Sequence, residues 1–206
     1  MAERADLAPA VVLAQACAWL GTPHLRGGGR RGVGADCVGL LRGLVWELAG
    51  ADVPAPPWRA DWADAWPEGL SRAIAVHARR VAPEAARPGH VVTFRLGGRE
   101  AHAGVLAEGG AVIHAAGYAG AVVRDGWSCG APSGAWALRA PAGCAAAPAD
   151  VDPAALVAVV RASRLGGARV GVQTAAGLPL SMSGRYPDRE AALAAAAHWP
   201  VVMLQG

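Results

Sequence analysis

An α+β fold follows from three observations: helix-spaced apolar positions up to about residue 80, short alternating runs after residue 89, and Gly pairs separating those runs. The first domain is expected over 1–141 and a linker over 142–153. A small αββαβ unit is expected over 154–206, short enough to need a neighbour to cover its core.

The elements follow in order. Leu7, Val11, Ala14 and Ala18 predict a helix over 7–20, with Pro9 tolerated in its first turn and Gly21 as its stop. A Gly-rich loop, Gly21 to Ala35, leads into a second helix over 37–48 with Leu40, Leu41, Leu44, Val45 and Leu48 on its buried side. Residues 51–68, with Trp58, Trp62 and Trp66, read as a loop in which the tryptophans pack more readily than they stack on sugars. A third helix is expected over 69–80. Strands are expected at Val91–Arg95, His102–Ala107, Ala111–Ala115, Ala121–Arg124 and Trp136–Arg139. Past the linker the pattern predicts helix 154–164, strands 168–173 and 178–182, helix 188–198 and strand 200–204.

Composition narrows the function. The 206 residues are 53% hydrophobic and 17% charged, which excludes a disordered polyelectrolyte. No apolar run reaches the length of a membrane span. A net charge of +3 is too weak to point to nucleic acid. All 19 basic residues are Arg, and neither Lys nor Asn occurs, so a P-loop and a Cys-His-Asn triad are both excluded. Cys17, Cys37, Cys129 and Cys144 form no CxxC pair, which argues against a zinc knuckle. Leu13 to Cys17 is a poor lipoprotein cleavage site, since Glu3 and Asp6 spoil the basic start. Gly27 to Gly32 fits GxGxxG, but a helix precedes it where a dinucleotide site needs a strand.

The chemistry gathers elsewhere. Cys37 opens the second helix, where amides and helix dipole favour a thiolate. His102 and His114 lie on consecutive strands with equal parity, and the turn falls midway between them. A thiol, a base and a residue that orients the base make a nucleophilic site. A Cys37-His102-His114 metal site is the alternative on the same residues, without an evident fourth ligand. No cofactor and no metal are expected. His77, His90 and His198 carry no pattern, and Arg26, Arg30 and Arg31 suit either a solvated loop or substrate carboxylates.

Five stretches share one order and spacing: Trp19-Leu20-Gly21-Thr22-Pro23-His24, Ala35-Asp36-Cys37-Val38-Gly39-Leu40-Leu41, Arg87-Pro88-Gly89-His90-Val91-Val92-Thr93-Phe94, Ala101-His102-Ala103-Gly104-Val105-Leu106 and Ala111-Val112-Ile113-His114-Ala115. With them the chain resembles the NlpC/P60 cysteine peptidases over roughly residues 8–140. The resemblance implies a papain-like fold, with N-terminal helices on an antiparallel sheet. It implies a cysteine endopeptidase cutting peptidoglycan stem peptides, with Cys37 as nucleophile, His102 as general base and His114 as third polar residue. The family usually has Tyr where this chain has His24, a hydroxyl thought to help hold the oxyanion, and often Ser where it has Val38. By the same resemblance Asp36 would share in contacts to the amino end of a stem peptide. A thiol amidase or acyltransferase on the same fold and a catalytically silent structural tail protein are the alternatives.

Trp58-Arg59-Ala60-Asp61-Trp62 and Arg87-Pro88-Gly89 are most similar to the branch found in phage tails and gene transfer agents. That likeness implies a tail-tip or baseplate component made in the cytoplasm and acting on the periplasmic cell wall. Its partners would be tail hub or baseplate proteins, with no nucleic acid and no membrane insertion. Residues 154–206 would then serve as an attachment module.

Overall fold

A computed structural model describes residues 6–49, 53, 68–126, 130–139, 156–162, 168–174, 179–186, 188–196 and 201–205. The three loop tryptophans, Cys129, Cys144, His198 and the expected linker lie outside the described residues.

Helix α1 (Pro9–Cys17) carries Pro9 at its start, where a missing N–H costs nothing, and buries Val11, Val12, Leu13 and Ala16. The helix ends at Cys17, three residues short of the expected Leu20, and tight turns in which the N–H groups of Ala18, Trp19 and Leu20 each donate three residues back carry the chain to Gly21, whose φ is +80. The Gly-rich segment is a short hairpin, β1 (Gly29–Arg30) against β2 (Gly34–Ala35). Helix α2 (Cys37–Ala49) buries Leu40, Leu41, Leu44, Val45 and Leu48, the face expected from their spacing. No described helix is long and apolar enough to cross a membrane.

Helix α3 (Gly69–Ala75) buries Leu70 and Ile74 but ends five residues earlier than its pattern suggests. Ala78–Val81 is strand β3, paired antiparallel with β8 (Gly134–Leu138). The local pattern there is helical, yet tertiary pairing wins. Ala78 faces Leu138, Arg80 stacks over Trp136, and Arg79 pairs with Asp6.

The remaining strands of the first sheet are β4 (Val91–Leu96), β5 (Arg99–Leu106), β6 (Ala111–Ala116) and β7 (Ala121–Gly126). They lie in the order β3-β8-β4-β5-β6-β7, all antiparallel. Alternation divides the strand residues between two cores. Val91, Ala103, Val105, Ile113 and Val122 join the core of α1 and α2, whereas Val92, Phe94 and Val112 form a second cluster on the other face. Both helices pack on the sheet at β5, and α2 also reaches β6.

The C-terminal unit corrects the expected αββαβ order. Residues 156–162 form strand β9 (Leu156–Ala162), not a helix, so the described order is βββαβ. Leu-Val-Ala-Val-Val is rich in β-branched residues, and β9 is a central strand whose buried positions need no alternation. It pairs antiparallel with β10 (Ala168–Thr174) and parallel with β12 (Val201–Gln205). Strand β11 (Pro179–Tyr186) completes the order β11-β10-β9-β12, with helix α4 (Arg189–Ala196) packed on β9 and β10. Strand β11 lies against α2, and Ala158, Val160, Ala168 and Ala192 belong to the same core as α1 and α2.

Candidate active site

Asp36 is the N-cap of α2. Its Oδ1 accepts the N–H of Gly39 at 2.7 Å, and its Oδ2 accepts the N–H of Gly27 at 2.6 Å. One carboxylate thus starts the helix and ties down the Gly-rich segment. The fit beside it is close. A Cβ on Gly39 would lie 1.5 Å from the Gly28 carbonyl oxygen, and one on Gly43 would lie 2.2 Å from the Trp19 ring. Farther along α2, Glu47 Oε2 accepts Gln15 Nε2 at 2.6 Å and Trp19 Nε1 at 2.8 Å, while its Oε1 pairs with Arg31 at 3.2 Å. Arg31 is therefore a brace of the hairpin, not a solvated loop residue. The hairpin packs against the helix where a phosphate loop would hold a ligand.

Cys37 is half-buried at the first turn of α2. The expected thiolate is corrected here. Burial pushes the thiol up to about 11, and the Asp36 charge adds to this. The N–H groups of Ala103, Val38 and Cys37 act the other way and are outweighed. The Ala103 contact places the sulfur against β5, beside the residue that follows His102. Recorded β5–β6 pairing ends at Val105↔Ile113, so the Ala103 N–H can face the start of α2.

The two histidines meet as their strand positions require. Continuing the pairing past Val105↔Ile113 sets His114 opposite Gly104 and diagonal to His102. Gly104 keeps that diagonal open, since a Cβ there would lie 3.0 Å from the Cβ of His114. His102 Nε2 and His114 Nδ1 are 2.9 Å apart, with the rings edge to face at 89°. Burial and the neighbouring His114 and His24 lower His102 to about 4, against a smaller opposing pull from Asp125. Thiol and imidazole are both neutral at rest.

Asp125 on β7 extends the line. Its Oδ1 is 2.9 Å from His114 Nε2, and its Oδ2 accepts the Tyr118 hydroxyl. Burial raises this carboxyl, but the hydrogen bonds from Tyr118 and His114 more than offset it, leaving it below its ordinary value. Neither residue was singled out from the sequence. The signal was there: Asp125 follows His114 across the next hairpin, and His114↔Val123 pairing puts it on the same face. The expected strand stopped at Arg124, one residue short.

His24 is held at the rim by its N–H, which donates to the Gly120 carbonyl at 2.7 Å, and by a bridge to Ala35. Its ring lies beside Gly117, near enough for its charge to act on His102. It can serve as a hydrogen-bond donor there, together with the N–H of Cys37. Val38 packs against the core, so no hydroxyl is presented after the cysteine. His90 is a turn residue whose Nδ1 accepts the Arg87 N–H. Among the described residues no cluster of His, Cys, Asp and Glu suits a metal ion.

The chain is similar to several solved structures. The NlpC/p60 domain of the peptidoglycan hydrolase SagA is 23% identical, covering 63% of this chain and 98% of that one, with a TM-score of 0.46. A lipoprotein-like NLP/P60 protein of Staphylococcus aureus is 17% identical, with 67% of this chain and 44% of that one covered and a TM-score of 0.45. The peptidoglycan hydrolase RipB of Mycobacterium tuberculosis is 23% identical over 63% of each chain, with a TM-score of 0.41. No curated protein matches. The sequence model of the NlpC/P60 family matches residues 21–128. A cysteine at a helix start, its sulfur against strand β5 of an antiparallel sheet that also carries the paired histidines, is the papain-like arrangement, and with that match the chain belongs to the NlpC/P60 family.

Proposed function

We propose that the protein is a cysteine peptidase that hydrolyses peptidoglycan stem peptides. The observation that carries this is the Cys37 thiol at the Ala103 N–H together with the line that starts from the adjacent residue in the strand, His102, and runs to His114 and Asp125. The Cys37 sulfur attacks the scissile carbonyl carbon as its proton passes to His102 Nδ1. The oxyanion receives hydrogen bonds from the Cys37 N–H and His24. His102 then protonates the leaving amine and leaves a thioester. Water, deprotonated by His102, attacks the thioester, releasing the carboxylate and restoring the thiol.

Digesting purified peptidoglycan and identifying the fragments by mass tests this. The native chain is expected to release cut stem peptides, and Cys37→Ser to lose at least about 10³-fold in rate. Equal release by both proteins overturns the reading. The raised thiol, His24 and Val38 favour a second reading, a silent structural tail component, for which neither protein cuts. We further propose a place at the tail tip or baseplate of a phage or gene transfer agent, supported by the sequence likeness around Trp58–Trp62 and Arg87–Gly89. Fractionated particles should carry the protein on tails, with a hub or baseplate protein as its neighbour.

A further inference from the structure

We infer that Asp125 is a positioning residue that sets the tautomers of both catalytic rings, with Tyr118 fixing its carboxylate. The inference rests on the roles given to Cys37 and His102 above. An ionised carboxylate only accepts hydrogen bonds. At 2.9 Å from Asp125 Oδ1, His114 Nε2 therefore carries the ring proton. With its single proton placed there, the His114 ring is bare at Nδ1, and it can only accept from His102 Nε2, 2.9 Å away. His102 in turn carries its proton on Nε2 and is bare at Nδ1, the nitrogen that must take the thiol proton. Each ring dictates the next, and the order starts at Asp125. Without the carboxylate, the opposite arrangement becomes available. His114 then holds its proton on Nδ1, His102 accepts at Nε2, and a proton on His102 Nδ1 blocks the base.

Tyr118 gives the line its far anchor. It is 79% exposed, so packing does not hold it in place; its hydroxyl donates to Asp125 Oδ2 with its ring centroid 6.3 Å from that of His114. The same donation makes Asp125→Asn informative. Tyr118 keeps the amide oxygen on its own side and turns the amide N–H groups toward His114 Nε2, which forces the opposite tautomers.

Ring nitrogen NMR on ¹⁵N-histidine protein reads the tautomers without turnover. The native chain is expected to show both rings protonated on Nε2, and Asp125→Asn both on Nδ1. With peptidoglycan fragments as substrate, Asp125→Asn should lose on the order of 10²-fold or more in kcat with little change in KM. Asp125→Glu should restore the native tautomers and part of kcat, and Tyr118→Phe should lose only severalfold. Native tautomers in Asp125→Asn overturn the inference, whatever the rate. So does a native His102 protonated on Nδ1, or a switch of tautomers that leaves kcat intact. A chain that cuts no stem peptide yet shows the tautomer switch refutes the peptidase reading alone.

Discussion

With Cys37 held up at about 11 and His102 down at about 4, the resting pair carries no charge across the neutral range. Attack must then couple to proton transfer rather than start from a stored thiolate. The acid limb of kcat/KM is expected near pH 4, not near 6.5, and alkylation of Cys37 should climb without a plateau up to pH 9. An acid limb at 6.5 with a flat alkylation profile refutes the neutral pair. The same shift bears on stability. A histidine lowered on folding binds fewer protons than the unfolded chain does, so stability is complete above about pH 6.5 and is lost as pH falls toward 4. For His102 the loss is at most about 3 kcal/mol, and His90, also lowered by burial and Arg87, adds to it. Denaturant unfolding across that window should show a shallower loss for His102→Gln.

Helix α2 brings Cys37 to the sheet only because the Gly-rich hairpin can lie on it. Gly39 and Gly43, one turn apart, leave room for the Gly28 carbonyl and the Trp19 ring. Gly39→Ala would place a methyl group inside a backbone carbonyl, which cannot rotate away. The hairpin must lift, and with it the Gly27 N–H that helps hold Asp36. We expect a loss of roughly 2–3 kcal/mol in unfolding and a further loss of activity in the folded fraction. Gly32→Ala, at φ +72 with open space around it, should cost only about 1 kcal/mol and spare activity. Equal effects would show that backbone conformation matters there, not the close approach.

At the scale of the whole chain, the 1–141, 142–153 and 154–206 division remains our proposal, and α2 is where its parts meet. Strand β11 lies against that helix, so removing 154–206 uncovers part of the element that carries Cys37. Limited proteolysis should cut within 142–153, and the isolated 1–141 fragment should melt several degrees below the full chain while still cutting stem peptides. A fragment as stable as the full chain would mean that the contact contributes nothing.

The sequence by itself determined the helices α1 and α2, the run of hairpins, the place of Cys37 at a helix start and the meeting of His102 and His114. These depend on short-range rules: apolar spacing and the arithmetic of a turn lying midway between two residues. Asp125 obeyed the same arithmetic and was legible in principle. The tertiary structure alone decided β3, where pairing with β8 overrode a helical pattern, and β9, where a buried apolar run is equally compatible with helix or strand. It also decided the pairing of Arg31 with Glu47 on α2 and the reach of Asp36 to the Gly27 N–H. Above all it decided the charge state of the site. A helix start favours a thiolate locally, but how much water the fold removes and which charges it brings near are properties of the packed molecule, and there burial and Asp36 prevail.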